Sequence, residues 1–81
     1  MNNKTEQRIH YYDNGVYKCI TNYKNGKKHG KMIWFYENGN LDLVVNYKDG
    51  KKHGEEIFYN EDGVLIDYKN TYKDGVLIDN E

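Results

Sequence analysis

The sequence predicts an all-β fold: an elongated single-layer antiparallel sheet, a meander of stacked β-hairpins built from about three 24-residue repeats. Three observations carry this. Lys27-Lys28-His29-Gly30 recurs unchanged as Lys51-Lys52-His53-Gly54, 24 positions later, and a fixed period of that size marks a repeat architecture. Gly15, Gly26, Gly39, Gly50, Gly63 and Gly75 each follow Asn or Asp, the dipeptide signature of tight hairpins. The chain has nine Tyr but no Ala or Pro, an inventory suited to pleated strands and poor for helices.

The elements follow in order. Residues 1–6 are expected to be a disordered leader, and repeats at 7–30, 31–54 and 55–81 form one domain. Overlaying 7–30 on 31–54 gives twelve identities, among them Ile9 with Ile33, Tyr12 with Tyr36, Gly15 with Gly39 and Tyr23 with Tyr47. The legs 16–24, 27–37 and 40–48 are strand-length and lack helical periodicity. All six Gly turns are expected to be two-residue type I′ turns. In the leg 40–48, alternation places Leu41, Leu43, Val45 and Tyr47 on one face. In the preceding leg Met32, Trp34 and Tyr36 share a face, opposite Ile33 and Phe35, so both faces are apolar. An even period of two strands returns equivalent residues to the same face, lining up Tyr12, Tyr36 and the region of Tyr59 as a ladder. In the third copy Asp74-Gly75 arrives one residue late, which places a β-bulge or register shift near Tyr68–Tyr72.

Chemistry is sparsely provisioned. The chain has no Ser, and Cys19 is the one cysteine, with no local base to activate it. Adjacent carboxylates such as Glu55 and Glu56 point to opposite faces of a strand and cannot share a substrate. His29 and His53 fall about 10 Å apart across two strands, too far to share a metal ion. No catalytic residue, metal site or cofactor is assigned, and a non-enzymatic role is expected. Met1 to His10 lacks the apolar stretch of a secretory signal, and a lone thiol suits a reducing compartment, so a cytoplasmic location is expected. The net charge of −1 conceals a polarity: residues 1–54 sum to +5 and residues 55–81 to −6.

The recurring Tyr-Lys-Asn-Gly-Lys-Lys-His-Gly at 23–30, followed by Trp34-Phe35-Tyr36-Glu37-Asn38-Gly39, resembles the MORN repeat, in the variant found in bacterial antitoxin-like proteins. Tyr23, Gly26 and Gly30, and again Tyr47, Gly50 and Gly54, are its hallmark positions. The third copy departs from it, reading Val76-Leu77-Ile78-Asp79 after Gly75, as a terminal cap would. The resemblance implies a long twisted sheet that presents surfaces to proteins or, in some members, to membranes, and no catalysis.

The expected function is therefore binding of a protein partner, with a toxin or effector implied by the resemblance. Trp34, Phe35, Tyr36, Phe58 and Tyr59 are the candidate anchors, since aromatic residues dominate interfaces. The alternative is an anionic membrane surface met by Lys27, Lys28, His29, Lys51, Lys52 and His53. Self-association through open sheet edges is a third possibility, while nucleic acid is disfavoured by a single Arg and an acidic C-terminal third.

Overall fold

The computed structural model describes residues 4–63 and 65–80. Seven strands form one antiparallel sheet in chain order: β1 (Thr5–Tyr11), β2 (Tyr17–Lys24), β3 (Lys27–Phe35), β4 (Leu41–Lys48), β5 (Lys51–Tyr59), β6 (Leu65–Lys73) and β7 (Val76–Asn80). The described residues include no helix. The sheet measures 43 × 33 × 11 Å, and the short dimension matches a single layer with its side chains. β1 begins inside the segment expected to be disordered: the Lys4 N–H donates to Asn25 Oδ1 at 3.0 Å, and the Asn25 N–H returns to the Lys4 carbonyl at 2.7 Å.

The Gly turns are of two kinds, which corrects the expectation of six alike. At Asn25-Gly26, Asp49-Gly50 and Asp74-Gly75 both residues have positive φ, 51–52° at Asn or Asp and 82–87° at Gly, as a type I′ turn demands. At Gly15, Gly39 and Gly63 the glycine alone is positive. There the loop is longer, and Gly15 N–H donates to the Tyr12 carbonyl and Gly39 N–H to the Tyr36 carbonyl, both at 2.9 Å. At Gly15 and Gly39 the preceding Asn ties the loop to its neighbour. Asn14 Oδ1 accepts the Val16 N–H at 2.9 Å while its Nδ2 donates to the Glu37 carbonyl of the next repeat at 3.0 Å. Asn38 repeats this arrangement with Asn40 and Glu61. The dipeptide that closes one hairpin end thus staples successive repeats at the other.

Register sorts the side chains into two faces, because directly opposite residues share a face. Ile9, Ile20, Ile33, Val44 and Ile57 are successive partners from β1 to β5, and the row ends on Lys69 of β6. We call this the isoleucine face. On the opposite face run Arg8, Thr21, Met32, Val45, Glu56 and Asn70, beside a second row of His10, Cys19, Trp34, Leu43 and Phe58. The most buried residues, Cys19, Thr21, Val45, Glu56 and Asn70, all belong to this second face. Large side chains on it cover the middle of the sheet, so a core forms without a second layer.

Two register irregularities recur with the repeat. At the long-loop end, Trp34 pairs with Leu43 but Phe35 with Leu41, so Asp42 and Leu43 together face Trp34. Leu41 therefore leaves the face of Leu43, Val45 and Tyr47, correcting the simple alternation. Between β5 and β6 the shift is larger: Ile57 pairs with Lys69 and Tyr59 with Leu65, which sets residues 66–68 against Phe58 alone. The extra residue of the third repeat is accommodated here, at the N-terminal border of the stretch where the sequence placed it. At the short-turn end, Gly30 and Gly54 have φ of 91° and 97° and sit in bulges opposite Asn22 and Asn46. The bulge turns His29 and His53 toward the next hairpin, where each Nδ1 accepts a turn N–H, from Asp49 at 3.4 Å and Asp74 at 3.2 Å. The recurrence of Lys-Lys-His-Gly thus has a structural cause.

Candidate functional site

The sheet does not bring the five candidate anchors together. Trp34 and Phe58 lie on the buried-row face, in line with Cys19 and Leu43, and the Phe58 ring stacks at 4.8 Å on Tyr68. Phe35 belongs to the isoleucine face, where its ring is 5.8 Å from Tyr17, itself 5.5 Å from Tyr11. Alternation along β5 sends Tyr59 to that face as well. Tyr36 sits just past β3, and its hydroxyl donates to the Tyr59 carbonyl at 2.6 Å. Tyr12 does the same to the Phe35 carbonyl at 2.6 Å. Burial, helped by nearby Asp42, pushes the Tyr36 phenol above its ordinary value. Tyr12 and Tyr36 are thus the expected ladder, and they act as inter-repeat fasteners.

On the same face as the Trp34 row, but nearer the short turns, runs a feature the sequence reasoning missed. Arg8, Tyr23, Lys28, Tyr47, Lys52 and Tyr72 come one each from β1 to β6 and alternate cation with ring. Arg8 lies 4.6 Å from the Tyr23 centroid, Lys28 lies 5.1 Å from Tyr47, and Lys52 lies 4.9 Å from Tyr72. A cation over an aromatic face is attracted by the ring quadrupole. The available signal was the shared 24-residue beat of Tyr23 with Tyr47 and Lys28 with Lys52. It could have been read only with the strand register in hand.

The third repeat adds a buried polar cluster. Glu56 is 5 % exposed, yet it occupies the row that carries Met32 and Val45 in the preceding strands. Lys52 Nζ donates to its Oε2 at 2.6 Å and Asn70 Nδ2 to its Oε1 at 2.8 Å. Burial alone would raise the Glu56 carboxyl, but the hydrogen bonds from Lys52 and Asn70 outweigh it and hold the group below its ordinary value. The same hydrogen bond, acting against burial, raises Lys52. Asn70 Oδ1 is buried with no partner.

Charge is also sorted along the strands. Lys24 lies opposite Lys27 and Lys48 opposite Lys51, and like charges so placed repel. They crowd the short-turn end with Lys28, Lys52 and Lys73, while Asp13, Glu37, Glu61 and Asp62 gather at the long-loop end. The acidic side chains of Asp49 and Asp74 approach His29 and His53 at 3.8 and 3.7 Å. Among the described residues no three His, Cys, Asp or Glu gather as a metal site would require.

A model of the MORN repeat variant matches residues 7–25, 28–49 and 52–74. The chain belongs to the MORN repeat variant family. The breaks between matches, at Gly26-Lys27 and Gly50-Lys51, fall in the tight turns, so each MORN unit is a β-strand pair joined by a long loop. MORN repeats generally form non-enzymatic modules, which identifies this chain as a repeat module for binding. Neither the curated proteins nor the solved structures searched gave a match.

Proposed function

We propose that this MORN chain binds a protein partner on the face bearing Trp34 and Phe58. The observation that carries this reading is the aromatic row itself: Trp34 and Phe58 are half-buried, Tyr68 is exposed, and the sheet is only 11 Å thick. Partly desolvated aromatic side chains on a fixed scaffold are the side chains that anchor interfaces. Phe35 and Tyr59 lie on the other face and Tyr36 is committed to the Tyr59 carbonyl, so the anchor set narrows to Trp34 and Phe58. The finer reading is an antitoxin-type neutraliser in a bacterial cytoplasm, which occludes a toxin or effector. It rests on resemblance among MORN variants.

The test is capture of the neighbouring gene product, offered as a purified protein. Trp34→Ala with Phe58→Ala is expected to abolish capture while the circular dichroism stays β-like. Phe35→Ala with Tyr59→Ala is expected to leave capture intact. Capture that survives the first pair removes the assignment.

A second reading is favoured by the opposed Lys24–Lys27 and Lys48–Lys51 pairs: an anionic membrane surface meeting the short-turn end. It requires salt-sensitive flotation with phosphatidylserine vesicles that fails after Lys27, Lys28, Lys51 and Lys52 are changed to Gln. Absence of flotation at low salt rejects it.

A further inference from the structure

We propose that a second copy of this chain extends the sheet head to tail, its β1 entering the strand position that β7 only partly fills and setting Arg8 beside Asn70. The argument begins with register. β7 pairs with β6 over Asn70–Lys73, four of the nine residues of β6. Val76 opposite Lys73 repeats Lys27 opposite Lys24, and Asn80 opposite Asn70 repeats Met32 opposite Thr21. β7 is therefore the front portion of a β3-type strand. β1 is the back portion: Arg8 opposite Thr21 and Ile9 opposite Ile20 repeat Met32 opposite Val45 and Ile33 opposite Val44, which places Thr5–Tyr11 at the positions of His29–Phe35. Among the described residues no strand lies beside the outer edge of β6 from Leu65 to Tyr68.

Direction supports the same arrangement. Seven antiparallel strands leave β1 and β7 running the same way, so simple edge-to-edge addition of a translated copy would pair them parallel. Sharing one strand position keeps every neighbour antiparallel and spaces copies by six strands, the content of three repeats.

Chemistry supplies the second, independent observation. Asn70 is 6 % exposed, and its Oδ1 is buried with no donor. Arg8 begins the row that ends on Asn70, so the incoming Arg8 falls next to that oxygen and to Glu56. Its guanidinium has five N–H donors, and Glu6 takes a hydrogen bond from Nε alone at 3.0 Å. The ends also complement each other in charge, the −6 segment receiving the +5 segment. The cost is local: Thr5–Arg8 displaces Ile78–Asn80, breaking the pairs Thr71–Asp79 and Asn70–Asn80, while Ile78 is already 60 % exposed.

A heterologous contact of this kind does not close. Sedimentation at low salt is expected to show a mass that grows with concentration in steps of one chain and falls with added salt. Arg8→Glu is expected to weaken association about tenfold, the loss of one charge-assisted hydrogen bond. A second experiment does not depend on Arg8. Ile9→Cys and Lys69→Cys chains, mixed and oxidised, are expected to yield mainly the mixed disulfide, since Ile9 would lie opposite Lys69 of the neighbouring copy. Native Cys19 is buried on the other face. A constant monomer mass, a mass that stops at two copies, or disulfides in random proportion overturns the proposal. None of these outcomes bears on capture through Trp34 and Phe58.

Discussion

Lys52→Met is expected to destabilise the chain by about 2–3 kcal/mol at neutral pH and to blunt the loss of stability in acid. Removing one partner of a fully buried ion pair costs about 3–5 kcal/mol, and the figure is lowered here because the Lys52 side chain is 35 % exposed. Glu56 would keep the hydrogen bonds from Asn70 Nδ2 and the Tyr72 hydroxyl. In the natural chain the folded Glu56 carboxyl titrates below its unfolded value. Its contribution is therefore present above the ordinary carboxylate range, near pH 4.3, and is lost as pH falls through the folded value. Lys52, raised by the same contact, contributes below its ordinary value and loses that contribution as pH rises past it. The pair is at full strength between those limits. In Lys52→Met, burial is opposed only by the hydrogen bonds from Asn70 and Tyr72, so the folded value rises from its natural position and acid costs the variant less than it costs the natural chain. Urea denaturation at pH 7 and pH 4 checks this: the loss caused by the substitution should shrink at pH 4. An equal loss at both values means that Lys52 does not hold Glu56 in the folded state.

Gly50→Val is expected to cost about 2 kcal/mol and to lower Tm by about 10 °C. Gly50 has φ of 87° in the tight turn joining β4 to β5, and its N–H donates to the Lys28 carbonyl at 2.8 Å. The nearest atom a Cβ would meet is Lys27 Cβ at 3.9 Å, so the penalty is conformational and not steric crowding. A β-branched residue pays most at positive φ. Asp49→Gly, at φ of 51° in the same turn, is expected to change stability by only a few tenths of a kcal/mol. Equal effects at the two positions would mean that the turn is not type I′.

The all-β meander, the positions of its turns and the repeat were legible because each is written locally, in Asn-Gly and Asp-Gly pairs and in a 24-residue echo. The extra residue in the third repeat was legible for the same reason, as a delay in the arrival of Gly75. The turn types were less so. Asn14-Gly15 and Asn25-Gly26 have the same dipeptide, yet the Asn14 side chain reaches the Glu37 carbonyl of the next repeat while Asn25 Oδ1 accepts the Lys4 N–H. Faces were misjudged wherever a bulge intervened, as at Asp42, because one extra residue moves Leu41 across the sheet. The five aromatic candidates were grouped by sequence alone, whereas register separates Trp34 and Phe58 from Phe35 and Tyr59, and Tyr36 lies past β3 with its hydroxyl on the Tyr59 carbonyl. The cation and tyrosine row joins residues from six strands, and the Lys52–Glu56–Asn70 cluster joins β5 to β6. No local pattern records such neighbours.

Trp34 is the one tryptophan of the chain, which makes its emission a direct report on the proposed binding face. Titrating the captured partner, with its own tryptophans replaced, should shift Trp34 emission to the blue and shield it from iodide quenching as the ring loses its remaining water. The same titration on a chain carrying Phe35→Ala and Tyr59→Ala should give the same shift. A partner that binds with unchanged Trp34 emission and unchanged quenching would place the interface elsewhere and contradict the assignment.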